Sequence, residues 1–129
     1  MIDDDARCPC GTGESYGACC GRFHRGRSAP TAELLMRSRY SAFAAGDEEY
    51  LLATWHPGTR PASVALDPQL RWYRLDVHAA DGGGPFESEG RVEFSAHWRD
   101  GSGARGRQRE RSRFVREDGR WFYVDGTPA

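Results

Sequence analysis

The sequence predicts an α+β protein: a short cysteine-rich leader, two helices, then an antiparallel sheet. Three observations predict it. All four cysteines fall between residues 8 and 20, in two close pairs. Apolar residues recur at three- and four-residue intervals between residues 31 and 55. From Arg71 onward the period is two, interrupted by glycine-rich turn signals.

The leader comes first. Cys8-Pro9-Cys10 and Cys19-Cys20 enclose eight residues, Gly11 to Ala18. A tetrahedral metal ion needs four soft donors at one point, and two pairs joined by a tight loop supply them. Thiolate sulfur suits zinc, and a closed four-cysteine shell is the usual structural arrangement. Gly11 and Gly13 permit the sharp turns of a chain wrapping an ion. We therefore read Cys8, Cys10, Cys19 and Cys20 as ligands of a structural zinc ion. Two disulfides, or free thiols, are the alternative. Against disulfides stand an acidic leader, Met1 to Asp5, without the apolar core of an export signal, and the strain of bridging adjacent cysteines. The C-x-x-C spacing of redox catalysis is absent.

Gly21 to Ser28 reads as a polar connector, with Phe23 anchoring the knuckle on its neighbour. Thr31 caps a helix whose first turn holds Glu33, and Leu35 or Met36, Tyr40, Phe43 and Ala44 give it one apolar face. Gly46 stops it. Asp47 caps a second helix, covered by Leu51, Leu52 and Trp55 and ended by Pro57-Gly58. Gly58 to Pro68 is a loop, with one helical turn over Asp67 to Leu70. The first strand alternates Tyr73, Leu75, Val77 and Ala79 against Trp72, Arg74, Asp76 and His78. The second places Phe86, Gly90, Val92, Phe94, Ala96 and Trp98 on one face. The third runs from Ala104 to Glu117, and Asp118-Gly119 turns it into the last, Arg120 to Asp125. Residues 1–27 form the knuckle and 28–129 one α+β domain, enough chain for a single core.

A two-residue turn at Asp118-Gly119 sets Phe114 opposite Tyr123 and Ser112 opposite Asp125. Continued onto the second strand, the core face brings Gln108, Glu110, Ser112 and Phe114 beside Val92 and Phe94. Glu110 then points at the helices and needs a partner or carries a raised pKa. Arg37 and Arg39 are the available partners. The residues placed around the resulting pocket are Arg39, Tyr40, His56, Glu110, Ser112 and Asp125, with His56 at a helix end where its charge is tunable. Each has a plainer role as core or cap, so none is assigned to catalysis. The opposite face carries Arg105, Arg107, Arg109, Arg111 and Arg113 near Glu87, Glu89 and Glu93. Cross-strand pairing explains that stripe, and a phosphate-binding surface is the sharper alternative. Phe122 and Val124 on the same face suggest a covered patch or homodimer contact.

The pattern C-P-C-G-x-G-x-x-Y-x-x-C-C-G resembles the SEC-C motif, the zinc knuckle also found at the end of the SecA translocase ATPase. There the last ligand is histidine; here Cys20 holds that place, with His24 just beyond. With Ala29 to Phe43, Tyr50 to Pro57, Glu110 to Phe114 and Gly119 to Gly126, the chain resembles the YchJ family of uncharacterised bacterial proteins over nearly its whole length. That resemblance implies the cone of the nuclear-transport-factor-2-like (cystatin-like) superfamily. Some members carry a second SEC-C copy. This sequence holds one, so a role needing two knuckles is not expected.

Three functions follow as expectations. The first is a binding or adaptor module, its knuckle contacting a protein or peptide partner as the similar knuckle of SecA does, its cone holding a peptide or small ligand. A closed four-sulfur site leaves no position for substrate. The second is a small-molecule enzyme of isomerase or dehydratase type with acid–base residues in the cone, an analogy of fold alone. The third is nucleic-acid binding through knuckle and arginine stripe, which a net charge of −1 disfavours. No apolar run reaches membrane-spanning length. Cysteine confined to one motif points to the reducing cytoplasm.

Overall fold

The computed structural model describes residues 2–129; Met1, the first residue of the acidic leader, lies outside them. The order of elements is a 3-10 turn (Tyr16–Ala18), α1 (Cys20–His24), α2 (Ala32–Ala45), α3 (Glu48–Ala53), β1 (Arg71–Gly82), β2 (Glu89–Arg99), β3 (Arg105–Glu117) and β4 (Arg120–Pro128). The four strands form one antiparallel meander in sequence order. Helix α2 lies across β1, β2 and β4. This is the α+β cone expected.

Local chemistry sets the helix limits. Thr31 accepts from the Leu34 amide and Asp47 from the Tyr50 amide, so both caps form as read. Gly46 closes α2 with φ 70°, a left-handed position that costs glycine nothing. Helix α3 stops at Ala53, short of the Pro57 stop read from the sequence. Trp55 instead enters a parallel bridge with Tyr123, and the Tyr123 amide donates to Thr54 O. A second correction is α1. The connector expected from Gly21 includes a helical turn starting at Cys20, with Phe23 on its buried side.

The sheet follows the expected register where it matters most. Phe94 faces Glu110, Val92 faces Ser112 and Gly90 faces Phe114. Phe114 faces Tyr123, but a bulge between Arg113 and Phe114 then shifts β4 by one residue. Asp125 therefore stands opposite Arg113, not Ser112, and bonds its guanidinium at 2.8 and 3.0 Å on the exposed face. A bulge near Trp72 turns that ring toward the core and leaves Tyr73 exposed. Phe86 belongs to no strand. The positive-φ glycines Gly82 and Gly83 turn the chain early, and Phe86 is 98% exposed. Gly106 on β3 lies directly under Trp98 of β2, where a Cβ would overlap the indole.

One continuous core joins the leader to the cone. Cys8, Cys10, Tyr16, Cys19, Cys20 and Phe23 belong to the same buried cluster as Leu35, Met36, Tyr40, Val92, Phe114 and Trp121. No helix among the described residues is long and apolar enough to cross a membrane.

Candidate metal centre and pocket

The knuckle is a small hairpin. Arg7 pairs with Ser15, and the Cys8 amide donates to Glu14 O at 2.9 Å. Gly11 and Gly13 turn the tip at φ 84° and 90°. The chain then folds back through the 3-10 turn, and α1 begins at Cys20. All four thiols are free and buried. Their sulfurs lie within 4.8 Å of one another, Cys10 and Cys19 at 3.6 Å. A tetrahedral ion with metal–sulfur bonds of about 2.3 Å sets neighbouring sulfurs about 3.8 Å apart. The cluster fits such an ion.

Neighbouring groups hold the cluster in place. Ser41 of α2 lies 3.6 Å from the Cys8 sulfur, and Thr12 lies 3.2 Å from that of Cys19. Arg37 donates to Cys10 O at 2.8 Å, and Arg22 to Cys19 O at 3.1 Å. Such groups fix ligand orientation. The sulfurs also perturb one another. Contact with Cys10 pulls the Cys8 thiol well below its ordinary range and pushes that of Cys20 well above it. Cys20 lowers Cys10, but Cys8 and burial outweigh it and hold that thiol at about 11. Four sulfurs this close cannot ionise together unless a cation sits between them. His24 is no substitute ligand: its ring bonds the Tyr16 hydroxyl and Ser38 O.

The second site is a cavity of about 260 Å³ between α2, Trp55 and the concave sheet face. Aromatic rings dominate its wall: Tyr40, Phe43, Trp55, Trp72, Phe114 and Tyr123. Of the six expected pocket residues, Arg39, Tyr40, Glu110 and Ser112 line it. His56 and Asp125 do not. His56 bonds Glu117 and packs on Phe122 at the outer side of β4, and Asp125 is drawn outward to Arg113 by the bulge. Trp55 and Trp72 are lining residues that the sequence reading gave other places. A bulge and a bridge put them there, and neither has a sequence signature.

Arg39 dominates the electrostatics. It is 6% exposed, and its Nη1 donates to Leu51 O and to Thr54 Oγ1, both at 2.7 Å. Its guanidinium carbon lies 5.2 Å from the Trp55 ring centre and 4.5 Å from that of Tyr123. Desolvation lowers its pKa to about 10. Arg37, the other partner considered for Glu110, is engaged with Glu33 and Cys10. Glu110 accepts from Tyr123 at 3.4 Å and from Gln108 at 3.3 Å. Burial pushes its carboxyl above the usual range. Gly126 makes room for that carboxylate, because any Cβ there would overlap it. The Tyr40 hydroxyl and Trp55 indole N–H are buried without hydrogen bonds.

On the outer sheet face, Arg109 pairs with Glu93 at 2.5 Å and Arg113 with Asp125. Arg105 lies over the Tyr73 ring together with Arg99. Part of the arginine stripe is thus committed within the sheet.

The sequence model described as "YchJ, middle NTF2-like domain" matches residues 31–126, and that of the SEC-C motif matches residues 6–22. A UPF0225 protein of Corynebacterium efficiens is 56% identical over 128 residues, covering 98% of this chain and 97% of its own. A UPF0225 protein of Streptomyces coelicolor is 56% identical over 120 residues, covering 92% and 93%. The solution structure of a SEC-C motif containing protein from Rhodopseudomonas palustris superposes with a TM-score of 0.83 at 36% identity, over 95% of this chain and 98% of that one. The crystal structure of a SEC-C motif containing protein from Psychrobacter arcticus gives 0.80 at 27% identity, over 100% and 86%. With the cysteine cluster, the cone and these matches together, the chain belongs to the UPF0225 family, a SEC-C motif followed by the YchJ-type NTF2-like domain.

Proposed function

We propose that this chain is a zinc-stapled binding module. Cys8, Cys10, Cys19 and Cys20 hold a structural zinc ion, and the cone takes a small ligand. One observation carries the reading: an aromatic-walled cavity that converges on a buried Arg39 and a half-buried Glu110. Concave, mostly apolar sites with a few placed polar groups are how folds bind small molecules. Arg39 ties down the end of α3 and lines the cavity at the same time, so its charge is placed where a ligand would meet it.

The ion would be structural, since four sulfurs leave no open coordination position. The SEC-C tip, Gly11 to Glu14, is exposed while its sulfurs are buried. A protein or peptide partner would meet that rigid tip. Catalysis is the weaker reading because its expected base, His56, bonds Glu117 outside the cavity.

The test is nuclear magnetic resonance of the zinc-loaded full chain with a set of one- and two-ring aromatic fragments. Saturable shifts of the Trp55 and Trp72 indole signals support the reading. A set in which no fragment moves either signal sinks it. Metal analysis of the reduced protein should return one zinc per chain.

A further inference from the structure

We propose that the cone pocket recognises a small planar aromatic acid, its carboxylate taken by the free edge of Arg39 and its ring lying on the aromatic wall. This rests on the binding reading above and names the ligand class.

The free edge is the first argument. Arg39 uses one nitrogen, Nη1, for both of its hydrogen bonds. Among the described residues its Nε and Nη2 have no hydrogen-bond partner. No carboxylate among those residues comes within the 4.0 Å of an ion pair with it. Glu110 shares the cavity but bonds Tyr123 and Gln108. A guanidinium edge of two parallel N–H groups matches a carboxylate bidentately. A buried charge without a counterion is costly, and an anion of the right shape relieves that cost.

The second argument is rigidity. Arg39 is held against two rings and tied to the end of α3 through Leu51 and Thr54. A fork fixed in advance loses little freedom when a ligand arrives.

The third is size. The space of about 260 Å³ exceeds the roughly 150 Å³ cavity that takes benzene and falls below the roughly 300–1,000 Å³ of drug-sized sites. One or two fused rings fit, and the wall offers rings to stack on.

An organic cation is the rival, since aromatic walls and a carboxylate suit one. Arg39 already lies over Trp55 and Tyr123 and repels a second positive charge. Glu110 then tunes the site. Ionised, it opposes the incoming acid; protonated, it can donate to it.

The experiment titrates 2-naphthoate, 2-naphthamide and 2-naphthylmethylammonium into the zinc-loaded full chain, reading the Trp55 and Trp72 indole signals. Naphthoate should bind at least about tenfold more tightly than the amide, the worth of one charge-assisted fork, and the ammonium should bind most weakly. Glu110→Gln should tighten naphthoate about threefold or more near pH 7 by removing a like charge. Arg39→Lys should weaken it about tenfold, since the charge stays and the fork goes. Should Arg39→Lys fail to fold, Glu110→Gln and the three-ligand ranking still decide. Amide or ammonium equal to or tighter than naphthoate, or weaker naphthoate binding by Glu110→Gln, overturns the acid assignment and leaves the binding reading standing. No shift with any of the three overturns the proposal, and the fragment set then decides whether the pocket binds at all.

Discussion

Tyr123 joins Arg39 to Glu110: the guanidinium carbon lies 4.5 Å from its ring centre, and its hydroxyl reaches Glu110 at 3.4 Å. Two opposite charges thus share one buried space through an intermediary, without pairing directly. Burial raises the Tyr123 hydroxyl to about 12, with Glu110 acting in the same direction. The arrangement keeps the guanidinium and the carboxylate apart.

Burial holds the Glu110 carboxyl above its ordinary 4.5, so the folded chain keeps that proton more tightly than the unfolded chain does. Its favourable contribution is complete below the ordinary value and is lost as pH rises through the folded one. We predict that Glu110→Gln melts at higher temperature than the native chain near pH 7, and that the gap closes as pH approaches about 4. Thermal melts across that range check it. A variant less stable than native at neutral pH would show that Glu110 is held as a needed ion.

His56→Ala should leave ligand binding in the cone unchanged. His56 bonds Glu117 and the Gly58 amide on the far side of β4. Its loss should lower stability by only about 1 kcal/mol, as for a partly exposed pair. The fragment titration applied to this variant is the measurement. A large affinity change would mean that the histidine communicates with the cavity.

Cys10→Ser should abolish stoichiometric zinc and loosen the cone together with the knuckle. Cys10 is fully buried in the core that includes Leu35 and Val92. Hydrogen exchange should therefore quicken in α2 as well as in residues 8–24. If α2 protection stays native while zinc is lost, leader and cone fold independently.

Gly106→Ala should cost about 1–3 kcal/mol, because the added methyl meets the Trp98 indole and the ring must leave the sheet. Urea midpoints would measure it. Pairing the change with Trp98→Val should recover most of the loss if the clash is the cause.

The sequence carried the cone's outline because its signals are local. Thr31, Gly46, Asp47 and the Asp118-Gly119 turn each act within four residues, and all four sit where they were expected. Glu110 and Ser112 could be placed inward because strand alternation propagates from that turn. The same propagation misplaced Asp125, since one extra residue opposite the Arg113–Phe114 step breaks the alternation, and no turn residue marks that step in the sequence. Trp72 and Trp55 reach the cavity through another bulge and a long-range bridge to Tyr123. Helix α1 is too short to show a period. His56 was drawn toward the cavity by its place after Trp55, but α3 ends two residues before Trp55 and the chain turns outward.

The contact between Cys8 and Ser41 spans 33 residues, and Arg37 reaches back to Cys10 over 27. During synthesis the four thiols leave the ribosome well before the helix that walls them in. The cluster is therefore open to solvent only while the leader stands alone. Once α2 docks, the thiols are buried behind it, and anything that is to reach them later must wait for that helix to open.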